Sequence, residues 1–300
     1  MVNPQLTRAR ILALGSFAIN FSCQMYGSLA TPNMKDIADR NHYAFSPNPY
    51  FIAAFFTFQS LFQLYWIAGL FKAKSAAPSS KYEHRVTAGA DGQGEGEPEP
   101  SQMAYVPIYA LGNLCIAGWM VFWMQESFWA SQTLVIINSS VQLYAIFSLL
   151  APSGPFAINR NNWKTHLVAN TFAGVGVLDF IDNGGVALLE ELGNILLTGL
   201  DLQKVAGPPS APVQAGIVAA FLALHLAARS SPDPTFTLCL LYDVLGLWFG
   251  HAGEGSWRWT LGALGGVLAV GAATQLGSRK GDVQPVTGVV REVAAETGQN

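Results

Sequence analysis

The chain has 300 residues, of which 51% are hydrophobic and only 12% charged; that is about half the charged share of an ordinary soluble domain. It therefore lacks the ions needed to cover a water-facing surface. A net charge of −3, with basic residues scattered between apolar blocks, excludes a nucleic-acid binder working through phosphate contacts.

A helix needs about 20 mostly apolar residues to cross a bilayer, and eight stretches approach that length. They fall near 11–29, 50–71, 104–124, 129–150, 166–189, 211–228, 235–251 and 258–277. The expected fold class is thus all-α, a polytopic transmembrane helical bundle of about eight spans. The first stretch follows Arg8 and Arg10 as a signal peptide would. It holds Asn20 and Gln24 and lacks a small-residue cleavage site, so it is expected to be retained as a span. Polar or Pro-rich breaks separate the spans: TPNMKDIADRN, APSGP, KVAGPPSAP and SSPDP. The segments divide as spans one and two in 1–74, a disordered cytosolic linker in 75–103, spans three to eight in 104–277, and a disordered cytosolic tail in 278–300. The linker and tail are rich in Gly, Pro, Ser and charge and poor in large apolar side chains.

The distribution of Lys and Arg orients the bundle, because cytosolic loops hold the excess of basic residues. Eight spans place Arg8, Arg10, Lys72, Lys74, Lys81, Arg85, Arg160, Lys164, Arg229, Arg279, Lys280 and Arg291 on one side. Lys35, Arg40, Lys204 and Arg258 fall on the other, a split of twelve against four. Both termini are then cytosolic. Omitting the fifth span, which carries Asp179, Asp182 and Asn183, would blur this division.

Several polar residues inside apolar runs are candidates for function. Asp179 and Asp182 lie three apart, on one helix face about a turn from each other. An ionised Asp near mid-bilayer costs about 2.5–3.5 kcal/mol on insertion scales, so such residues usually face the bundle interior or a water-filled cavity. With no Lys or Arg in the span, one proton can be shared across the pair. The alternative is that DNGG breaks the helix and its polar groups line a turn. Asp243, beside Tyr242 in the seventh span, is a further intramembrane acid, and His225 in the sixth can either approach it or sit at the interface near Arg229. Asn20, Gln24, Gln59, Gln63, Asn113, Asn138 and Gln142 read as helix-to-helix hydrogen-bonding groups. Cys23, Cys115 and Cys239 each sit in an apolar block as small buried hydrophobes. No metal-ligand spacing, nucleophile elbow, P-loop or dinucleotide fingerprint is present, so neither an enzyme nor a cofactor is expected.

Rings also recur at helical intervals. Tyr50, Phe51, Phe55, Phe58, Phe62, Tyr65 and Trp66 are spaced 3, 4 and 7 apart in the second span, and Trp119 and Trp123 four apart in the third. Such rings either wall a ligand pocket or serve helix packing and the membrane interfaces.

Three blocks, FSPNPYFIAAFFTFQSLFQLYWIAGLF, YALGNLCIAGWMVFWMQESFW and SPDPTFTLCLLYDVLGLWFGH, resemble the translocator-protein, or tryptophan-rich sensory protein (TspO/MBR-like), family, in particular its longer members with extra C-terminal spans. The chain departs from the family pattern at Phe55 and Phe56, Ile116, Tyr242 and Asp243. The resemblance implies a non-enzymatic bundle in membrane lipid that binds a hydrophobic small molecule, a tetrapyrrole such as porphyrin or haem, a sterol or a lipid. Phe55, Phe58, Phe62, Trp66, Trp119 and Trp123 would form the wall, with homo-oligomerisation left open. The competing expectation is a proton-coupled or small-solute transporter working through Asp179, Asp182 and Asp243.

Overall fold

The computed structural model describes residues 3–43, 45–73, 98–196, 209–250 and 255–281, with the side chains of 189–196 and 278–281 left aside. The linker assigned to 75–103 lies outside these residues up to position 97, as does the tail from 282 onward.

Among the described residues the chain is helical, with no strand. The helices are α1 (Pro4–Leu29), α2 (Met34–Arg40), α3 (Pro49–Lys72), α4 (Pro100–Met124), α5 (Phe128–Tyr144, continued by a π turn, Ala145–Leu149), α6 (Trp163–Leu196), α7 (Ala211–Ala228), α8 (Thr235–Gly250) and α9 (Gly255–Gly281). Each of the eight apolar stretches is one of these helices. Among the described residues, five are long and apolar enough to cross a membrane: α3, α4, α5 with its π turn, α7 and α9. α8 is apolar but shorter, at 16 residues.

Local chemistry sets the helix starts. Asn3 and Asn48 accept from backbone N–H groups of the first turn, each with Pro just inside the helix. Glu99 accepts from the N–H groups of Ser101 and Gln102 at 2.8 and 2.7 Å, so α4 starts at Pro100 and its first turn takes up residues 100–103. α2 is an element the apolar pattern does not announce. Asn33 and Asp36 form a reciprocal capping box around its first turn.

The helices alternate in direction. Arg10 at the start of α1 donates to the carbonyls of Leu70 and Ala73 at the end of α3, at 2.9 and 2.7 Å. Gln102 at the start of α4 donates to Trp66 O at 2.6 Å, and Thr165 at the start of α6 donates to Glu99 at 3.1 Å. α1 packs on α4, α4 on α5, α5 on α6, α6 on α8 and α8 on α9, with α7 against α8 and α9. α3 lies against α1, α6 and α8. Its first turns are tied to α8 by Asn48 N–H to Gly246 O at 2.9 Å and by the Tyr242 hydroxyl to Phe51 O at 2.7 Å.

The interior is unusually polar for so apolar a chain. α3 buries Gln59, Gln63, Trp66, Ile67 and Leu70 and turns Phe58, Leu61 and Tyr65 outward. Such an inside-out helix suits a surround of lipid, where an apolar exterior carries no cost and an unpaired polar group is expensive. Asn20 donates to Asn113 at 2.8 Å, Tyr109 to Gln63 at 2.7 Å and Tyr105 to Gln142 at 2.7 Å. Asn138 and Gln142, one turn apart on α5, face Gly112 of α4, where an added Cβ would strike both. That glycine lets the two helices close around the amides.

Candidate functional site

The middle third of α6 holds the acids. The helix runs unbroken through Asp179, Asp182, Asn183, Gly184 and Gly185, so DNGG continues the turn rather than ending it. Asn183 is a structural anchor. It accepts from the Trp119 indole at 3.1 Å and from the Ser131 hydroxyl, and donates to Gln132 Oε1 at 2.8 Å and Phe128 O at 3.3 Å. These bonds fix α6 to the end of α4 and the start of α5. Gly185 lies under Tyr43, whose ring occupies the space a Cβ would need, and the Tyr43 hydroxyl donates to the Asp182 carbonyl. Tyr43 belongs to the turn between α2 and α3. Burial, and then the charge of Asp182, push its phenol well above the ordinary tyrosine range.

Between α2, the start of α3, the end of α4 and α6 lies a cleft of about 340 Å³. Trp119, Trp123, Leu178, Asp179, Asp182 and Val186 form its inner wall together with the buried Ser46; Asn33, Lys35, Asp39, His42 and Tyr50 stand nearer its mouth. The two indoles are stacked, with ring centroids 5.9 Å apart and planes 29° from parallel. Trp123 is further held by an edge-on contact with Phe128 and by its N–H to Met34 O at 3.4 Å. Lys35 is paired with Asp39 at 2.5 Å on the exposed α2, and that hydrogen bond raises its pKa.

The acids of the inner wall are not neutralised in the same way. Asp179 is 8% exposed, and its Oδ2 has no hydrogen-bond partner; neither has Oδ1 of Asp182. The Ser46 and Tyr43 hydroxyls reach the Asp182 side chain, and Asp182 and Asp179 interact as like charges. Behind them, on α8, Asp243 is 1% exposed, has both carboxyl oxygens unpaired and is charge-coupled to Asp179. Three carboxyls from two facing helices thus stand in series from the cleft into the bundle. At the opposite end of the same helix pair a second cavity, also about 340 Å³, is lined by His166, Asn170 and Asp233. Asn170 donates to Asp233 at 2.9 Å, and Cys239 lies within electrostatic reach of both Asp233 and Asp243.

The structure therefore brings together Trp119, Trp123, Asp179 and Asp182 in one cleft, with Asp243 directly behind. Of the rings singled out on α3 it brings only Tyr50 there, at the mouth. Phe58 and Phe62 are exposed on the outer face of α3, and Phe55 packs on Tyr242 with ring centroids 5.7 Å apart. Trp66 is buried at the other end of α3 against Tyr105 and Tyr109, its indole donating to Thr165. His225 is buried and meets Thr237 at 3.3 Å, its ring filling the space beside Gly271 rather than approaching Asp243. Tyr43, Ser46 and His42 were not singled out by sequence, since they lie in a polar turn with no periodicity. Among the described residues no group of three or more His, Cys, Asp or Glu side chains could hold a metal ion. No protein family, curated relative or solved structure matches the chain.

Proposed function

We propose that the protein is an eight-span integral membrane carrier for a small solute, with both termini in the cytosol and solute movement coupled to protons on Asp179, Asp182 and Asp243. The observation that carries this reading is the series of three carboxyls, Asp179 and Asp182 on the cleft and the buried Asp243 behind them, none paired with Lys or Arg among the described residues. Neighbouring carboxylates in a low-dielectric interior repel, and an uncompensated buried charge costs several kcal/mol. Protons or a cation must therefore balance them, and a cycle that exchanges one for the other couples two fluxes.

Span assignment supports the reading. α1 and α6 are 26 and 34 residues long, ample for a crossing, and the 16 residues of α8 cover about 24 Å. The acid cleft then opens on the face opposite the termini, beside Lys35 and Arg40. The second cavity opens on the cytosolic face, beside Arg160 and Arg229.

The test is proteoliposomes loaded with a pH-sensitive dye, given an imposed pH gradient and offered choline, glucose or sulfate. Protein-dependent proton movement on addition of one of them, lost in Asp179→Asn and Asp182→Asn, is expected. Fluxes identical in wild type and both variants would remove the basis of the proposal.

A second reading places a hydrophobic ligand of the porphyrin or sterol kind in the same cleft without transport. The stacked Trp119 and Trp123 on its wall favour it. The size of the cleft favours a more compact occupant, since about 340 Å³ stands at the low end of roughly 300–1,000 Å³ for small-molecule pockets. Saturable quenching of tryptophan emission by protoporphyrin, weakened in Trp119→Ala, would support this second reading.

A further inference from the structure

We infer that the occupant of the cleft between α2, α3, α4 and α6 is a compact organic cation, an ammonium group on a small apolar body. This inference rests on the carrier reading for its purpose, though not for its test.

Charge comes first. The inner wall carries two carboxyls, Asp179 and Asp182, with a third, Asp243, behind Asp179. The cationic groups on the cleft are at its mouth, where Lys35 is engaged by Asp39. An anion would face like charge at the floor. A neutral ligand would leave the carboxyls to be balanced by protons alone and would gain no charge pairing from them. A cation meets both needs, because a hydrogen-bonded or closely apposed ion pair recovers part of the cost of burying the acid. Asp179 supplies an independent pointer. It is more than nine-tenths buried, it lines the cavity, and its Oδ2 finds no donor from the protein.

The aromatic wall then separates an organic cation from an inorganic one. Trp119 and Trp123 are held by hydrogen bonds at their N–H edges, to Asn183 and to Met34 O, so their orientation is fixed before anything binds. Indole is the best of the aromatic rings for attracting a cation placed over its face. An inorganic divalent ion would instead demand a shell of several oxygens, and no cluster of three or more ligating side chains forms here among the described residues. Leu178, Val186 and Ile52 supply apolar surface for the body of the ligand.

The experiment uses the full chain in detergent or nanodiscs and compares choline with 3,3-dimethylbutan-1-ol, which replaces the quaternary nitrogen by carbon at nearly constant shape. Tetramethylammonium serves as the bare head group. Binding is read by intrinsic tryptophan emission and confirmed by calorimetry. Choline should bind at least about tenfold more tightly than the neutral alcohol. Asp179→Asn and Asp182→Asn should each abolish most of that preference, whereas Glu126→Gln, an exposed acid between α4 and α5 that does not line the cleft, should retain it. The comparison of the two ligands on wild-type protein stands even where an Asp variant fails to fold. Equal affinity for choline and its isostere, or no saturable response to either ammonium, overturns the inference. Cation-selective binding without solute-driven proton flux in vesicles would instead overturn the carrier reading and leave the ligand class standing.

Discussion

Replacing Asn183 by Ala tests whether α6 is held in place by its polar face. The substitution removes four hydrogen bonds, from the Trp119 indole and the Ser131 hydroxyl and to Gln132 and the Phe128 carbonyl. Interhelical hydrogen bonds in membranes average about 0.6 kcal/mol each, with a maximum near 1.7, so the set contributes about 2.5 kcal/mol. Trp119→Phe removes only one of them and should cost about 0.6–1 kcal/mol. Reversible unfolding by SDS in mixed micelles, followed by tryptophan emission, measures both. In a double-mutant cycle the two should couple by about 0.6 kcal/mol, since they share one bond. A loss below about 0.5 kcal/mol for Asn183→Ala, the range of an ordinary surface change, would refute the reasoning and make Asn183 incidental to the cleft.

Three further outcomes follow from particular contacts. Gly185→Ala drives a methyl into the Tyr43 ring and should destabilise the fold by about 1–3 kcal/mol, while Gly15→Ala, where nothing lies within 4 Å of an added Cβ, should not destabilise it in the same unfolding assay. Tyr43 has its phenol raised well above its ordinary value near 10. The unfolded chain therefore ionises it first, so its contribution is complete below pH 10 and is lost as pH climbs beyond that value, by about 1.4 kcal/mol per unit. The wild type minus Tyr43→Phe difference in phenolate absorbance should show no ionisation until well above pH 10; an ordinary titration would contradict the burial. Phe58→Ala and Phe62→Ala, on the outer face of α3, should leave ligand-dependent tryptophan quenching unchanged, and a loss there would place the second-span rings at the site.

The helices were readable because long apolar runs between Pro-rich breaks leave little freedom. The interval 211–228 is matched residue for residue by α7, and the other stretches shift at their ends by a few residues, up to seven where α1 starts and where α6 ends. α2 escaped because a polar seven-residue helix has no apolar period, although Asn33 and Asp36 three apart carry the signal of its cap. The face of α3 could not be read from its rings, because aromatic spacing names a stripe without saying whether the stripe meets lipid or protein. Gln59 and Gln63, a turn apart, were the better guide, since amides in a span turn inward. Asp179 and Asp182 were legible as a pair on one face. The approach of Asp243 and the turn bearing Tyr43 and Ser46 depend on which helices pack together, and that is settled by contacts far apart in sequence. His225 illustrates the same limit, since the small Gly271 on α9 draws its ring there and away from Asp243.

In the proposed carrier the acids face a solvent-accessible cleft on the side of the membrane opposite the termini. Asp182→Cys, in a chain whose Cys23, Cys115 and Cys239 are replaced by Ala, can be treated with an impermeant cationic methanethiosulfonate in sealed vesicles of known orientation. Reaction from the side opposite the terminal tags, slowed by choline, is the predicted result. Reaction from the tagged side alone, or a thiol that stays unreactive from both sides, would contradict it.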